Sequence, residues 1–278
     1  MEGIVFIAAL GSILVYLSVG FYLGRRTKNL ADHLPIKTGQ ENLARIANDG
    51  EFSASTVAAT ISLATVVMAF FELVPYFGLW LLWTVVTTSL GIFVVRLAAG
   101  RILKRMGAYG QRRPTLHDFL GTEYESRGVA TLGAICTSLG FLGALAVELT
   151  VGSRFLSNLL PTVAPIVVVI IIASVSLIYT SAGGFRAVIV TDVLQMRAIW
   201  LLLLGLSIFY AVYLYSHGGI NENLLKIPKE AYDFSWRDGL AAFLVGIFVI
   251  NVPTFVSDMS VWQRIASTRA DKVVLAGL

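Results

Sequence analysis

Long apolar runs recur from one end of the chain to the other, separated by short polar or basic segments. A helix of about 20 such residues, rising about 1.5 Å per residue, crosses a hydrocarbon core of about 30 Å. The pattern predicts seven spans, at 3–24, 52–74, 79–99, 128–156, 166–180, 187–215 and 239–261. They form one transmembrane domain over 1–278 with an all-α fold, a polytopic helical bundle. Helices satisfy their own backbone polar groups in lipid. The short alternating segments of a membrane barrel are missing from the pattern.

Polar positions inside these runs carry the interest. The second span holds Ser53, Ser55, Thr56, Thr60, Ser62, Thr65 and Glu72, more hydroxyls than a lipid-facing helix needs. Such residues pack helices together or line a solute path. The run ending at Ile178 turns at Gly183-Gly184, where glycine accepts positive φ. The next run carries Asp192, Gln195 and Arg197. Lipid disfavours such groups by about 2.5–3.5 kcal/mol at a helix centre, so they face a partner or a cavity. Pro114-Thr115 reads as a helix start. Asn251 and Pro253 interrupt the seventh span, and Pro253 predicts a broken helix there.

Composition agrees. Of 278 residues, 56% are hydrophobic and 14% charged, and the mean hydropathy is +0.78. The net charge of +4 does not mark a nucleic-acid binder, because the basic residues sit in loops between apolar runs. Cys136 is the single cysteine and lies in an apolar run, so no internal disulfide forms. His33, His117 and His217 lack metal-ligand spacing. No catalytic constellation is present, and no enzyme activity is expected. Of the loop Lys and Arg residues, only Arg154, Lys226, Lys229 and Arg237 fall on segments assigned to the outside. That bias predicts an outer N-terminus and a cytoplasmic Leu278 end in the inner membrane.

The stretch Tyr179-Thr180-x-x-Gly183-Gly184-x-x-Ala187-Val188-x-x-Thr191-Asp192-x-x-Gln195 resembles the signature of the sodium:solute symporter family. Ala58-Ala-Thr-Ile-Ser62 stands where that family breaks its first core helix. Pro114 to Leu120 resembles the start of its third, and Gln263-Arg264 through Arg269 resembles the segment beyond its sixth. The resemblance implies a LeuT-like inverted-repeat fold, here incomplete: an extra helix plus core helices one to six. It also implies sodium-driven uptake of a small polar organic solute, with solute and ion near the midplane.

Carried over, the carbonyls of Ala58 and Ile61 resemble ligands of the family's sodium site, and Asp192 matches its acid near the inner exit. A helix-start acid favoured by the macrodipole is the structural alternative for Asp192. Ser62, Asn251 and Thr254 fall on the solute side; sugar-transporting members carry a gating tyrosine where Thr254 stands. Glu148, outside the family pattern, is a candidate for a solute amine or a coupling cation, so a proton could replace sodium. Partners expected are the solute, Na+ as coupling ion and the lipid bilayer, with no other cofactor and no nucleic acid. Association into a homo-oligomer stays open. A membrane input module of a sensor protein is the alternative function. With the second repeat barely begun, the chain is expected to be a fragment that does not transport alone.

Overall fold

The computed structural model describes residues 2–26, 33, 48–60, 72–107, 115–219, 229–268, 274 and 276–278. Its main elements are all helical: α1 (Glu2–Gly24), α2 (Asp49–Thr60), α3 (Leu82–Gly107), α4 (Leu116–Glu123), α5 (Arg127–Leu159), α6 (Pro165–Ser216), α7 (Leu240–Ser257) and α8 (Met259–Ser267). Five described helical stretches are long and apolar enough to cross a membrane: Glu2–Gly24, Glu72–Ile102, Arg127–Leu159, Pro165–Ser216 and Leu240–Ser267. Leucine, isoleucine and phenylalanine side chains lie exposed along them, as at Leu132, Leu139, Leu201 and Ile250. Apolar surface on that scale needs lipid or further protein against it. The chain is a polytopic helical membrane protein.

At 52 residues, α6 would measure about 78 Å if straight, more than twice the hydrocarbon core. It is not straight. Gly184 has φ 62° and ψ −161°, a region open essentially to glycine alone. The ring of Tyr16 of α1 packs tilted against that of Tyr179, ahead of the break, with centres 5.4 Å apart, and its hydroxyl accepts a hydrogen bond from Gln195 Nε2, beyond it, at 2.6 Å. Along an unbroken helix those two partners would lie about 24 Å apart. The chain therefore folds back at Gly184, and α6 holds both the fifth and the sixth apolar runs.

α1 lies in close contact with this bend. A Cβ on Gly20 would sit 2.8 Å from the Cα of Tyr179, and one on Gly24 would collide with the carbonyl of Ala182. Two glycines four apart on one helix let backbones approach as larger residues do not. α3 packs on α7 in the same manner, with Gly91 beneath Phe255. Trp83 Nε1 donates to the Leu244 carbonyl at 2.9 Å and fixes the register of that pair.

α7 runs through Pro253 without breaking. The expected interruption falls five residues later, at Asp258, whose φ −68° and ψ 107° leave the helical region. The physical reason is capping. Asp258 accepts the Ser260 N–H at 2.8 Å to start α8, and the Trp262 ring N–H takes the Val256 carbonyl at 2.7 Å at the end of α7. The tightest packing gathers around this elbow, where Phe52, Val95, Ile189, Val261, Ile265 and Val274 are almost fully buried.

Candidate functional site

Three elements meet where the buried polar groups collect: α2, the second limb of α6, and α8. Asn48 opens α2, its side-chain oxygen accepting the Glu51 N–H at 2.8 Å. Glu51 then pairs with Arg186, two residues past the Gly184 break, at 2.5 Å. Six residues further along α6, Asp192 meets Arg264 of α8, with Nη2 donating to Oδ2 at 2.6 Å. Both side chains are about nine-tenths buried or more. The Arg264 Nη1 donates to the Ser260 carbonyl at 3.0 Å, and its guanidinium lies 5.9 Å from the Phe185 ring centre. Two acids and two bases thus neutralise one another within a buried region.

A cavity of about 550 Å³ opens beside them. Ala59, Gly184, Phe185, Ser260, Gln263 and Arg264 contribute to its wall. The cavity therefore joins the end of α2, the bend in α6 and the basic face of α8. A second, largely apolar cavity of about 440 Å³ lies between α1, the end of α5 and the first limb of α6, with Tyr16 and Gln195 among its lining residues.

The candidate residues divide between these regions. Ala58 is half-buried in the last turn of α2, one residue from the cavity wall. Ile61 and Ser62 lie outside the described residues. Asp192 is buried and paired. Asn251 faces α3 instead, its amide donating to Thr87 Oγ1 at 3.0 Å and Thr88 Oγ1 at 3.3 Å. Thr254 is exposed and its hydroxyl bonds the Ile250 carbonyl. Glu148 is exposed on α5. The structure thus brings Ala58 and Asp192 to one locality and leaves Glu148, Asn251 and Thr254 outside it.

Arg264, Glu51 and Arg186 take part in the site although the sequence reading gave them no role in it. One signal was present. A charge in an apolar setting needs a counter-charge, and Asp192 had no basic residue at helical spacing on its own face. The partner had to come from elsewhere, and Gln263-Arg264 was already marked by the family resemblance.

With five described helical stretches fit to cross a membrane, the chain falls in the class of polytopic helical membrane proteins. Residues 51–263 match the model of the sodium:solute symporter family, and the chain belongs to that family. It is 25% identical over 158 residues to the sodium/sialic acid symporter NanT of Aliivibrio fischeri, covering 54% of this chain and 30% of that protein. It is 30% identical over 118 residues to the sodium/sialic acid symporter SiaT of Proteus mirabilis, covering 39% and 23%. It is 26% identical over 138 residues to the sodium/pantothenate symporter of Haemophilus influenzae, covering 49% and 28%. The matched segments span less than a third of each of these relatives. No solved structure matches the chain.

Proposed function

We propose that this chain forms the first-repeat side of a sodium-coupled symporter of LeuT-like fold that carries a small polar organic solute, with its N-terminus outside. The single observation that carries the reading is the Asp192–Arg264 pair, buried next to a cavity that α2 and the Gly184 bend both reach. In this reading the pair is the closed state of a cation route. Sodium prefers oxygen ligands; the carbonyls of Ala58 and Ile61 begin its path and the Asp192 carboxylate ends it. A cation arriving at Asp192 competes with Arg264 for the same oxygen, so ion passage and opening of the α6–α8 contact become one event. Ser62, Asn251, Thr254 and Glu148 belong to the solute side of the route. The sialic acid and pantothenate named for the relatives are the first solutes to try. Uptake needs the full reading frame that holds this chain, since the relatives are more than three times longer than the matched segments.

The test is uptake of N-acetylneuraminate and pantothenate into proteoliposomes with an imposed sodium gradient. Uptake should require sodium. Asp192→Asn should raise the sodium concentration for half-maximal uptake by about tenfold or more, the loss of one charged ligand being worth about 1.5–3 kcal/mol. Sodium-independent uptake by the unaltered protein would end the reading.

A further inference from the structure

We propose that the cavity beside Gly184 contains an anion subsite, in which Arg264 Nε and Ser260 Oγ hold the carboxylate of an organic acid. Arg264 has two of its three nitrogens engaged, Nη2 by Asp192 and Nη1 by the Ser260 carbonyl. Its Nε is buried and has no partner among the described residues. Ser260 stands one helical turn earlier, on the same face of α8. Its backbone N–H is taken by Asp258, while its Oγ is buried and also without a partner. The Nδ1 of His33 is in the same condition. All three residues line this one cavity.

A buried polar atom left unpaired is costly, more so when charged. Three of them around one cavity select for a polar occupant. The sign of that occupant follows from Arg264. A guanidinium has only donors, so Nε requires an acceptor, and a carboxylate matches its planar edge. A hydroxyl and an imidazole can each complete such a contact. Phe141, Phe185 and Val188 line the same cavity. They give an apolar wall, which suits an acid carried on an organic body better than a bare inorganic ion. The bound carboxylate would compete with Asp192 for the guanidinium, so filling the subsite loosens the ion pair.

The inference takes over the cavity of the proposed symporter but none of its sodium coupling. The full chain in lipid nanodiscs is titrated with sodium benzoate and with benzamide at fixed sodium, following the fluorescence of Trp262 on α8. Benzoate should bind and benzamide should not. Ser260→Ala should weaken benzoate about tenfold, the loss of one hydrogen bond to a charged group, while Ser260→Thr should retain it. Asp192→Asn, which removes the competing carboxylate, should tighten benzoate. Equal binding of both probes, no benzoate binding, or an unchanged affinity in Ser260→Ala would each overturn the subsite. Loss of the subsite with uptake still sodium-dependent leaves the symport reading standing. Sodium-independent uptake with benzoate binding intact removes symport and leaves the subsite.

Discussion

Asp192 and Arg264 are seventy-two positions apart and are joined by a single hydrogen bond of 2.6 Å. A buried pair of this kind contributes little net stability, because desolvation offsets most of the attraction, but removing one partner strands the other. Arg264→Met should therefore destabilise the protein by about 3–5 kcal/mol. The double variant Asp192→Leu/Arg264→Met should recover most of that loss. Thermal unfolding in detergent, run as a double-mutant cycle, measures both values. If the two single changes simply add, the pair is not coupled as described. At this scale the sequence pointed to Asp192 as a polar residue that lipid rejects, and to Gln263-Arg264 by resemblance. It could not join them, because pairing across three helices depends on how the bend and the elbow orient them. The family resemblance marked Asn251 for the solute side, and its amide rests on two threonines of α3.

Among the elements, the bend at Gly183-Gly184 was legible because two adjacent glycines between apolar runs admit the positive φ that a reversal of the chain needs. The elbow at Asp258 was not, because Pro253 offered a stronger local signal. A proline removes one donor and crowds one carbonyl, and α7 absorbs both. The break went where a carboxylate and an indole could cap both ends it creates. The glycines of α1 also separate into kinds that sequence alone does not distinguish. A Cβ on Gly20 would meet Tyr179 at 2.8 Å, while one on Gly11 would meet nothing within 4 Å. Gly20→Leu should lower the unfolding temperature by several degrees, as overpacking costs about 1–3 kcal/mol. Gly11→Leu should leave it unchanged. Thermal unfolding of the two variants side by side checks this, and equal shifts would mean that α1 does not pack through Gly20.

For the whole molecule, fold class followed from run length alone, since only helices of this length and polarity sit in a bilayer without orphaned backbone groups. The family followed from four stretches, of which the bent motif is the most specific, and is shown by the match over 51–263. The apolar exterior makes a further prediction. Cys136 is exposed on α5, nine residues from Arg127, which is about 13 Å along the helix. In native membranes it should resist a charged, membrane-impermeant maleimide. It should react after solubilisation in a mild detergent followed by denaturation. Full labelling in intact vesicles would place that face of α5 in water and undo the assigned spans.

The family match begins at residue 51, so α1 lies outside it. Yet α1 touches the symporter motif on both sides of its bend, at Tyr179 and at Gln195. A joint splinted on its outer side keeps its angle under load. The two arms of α6 should then travel together as one lever, carrying their charged residues with them.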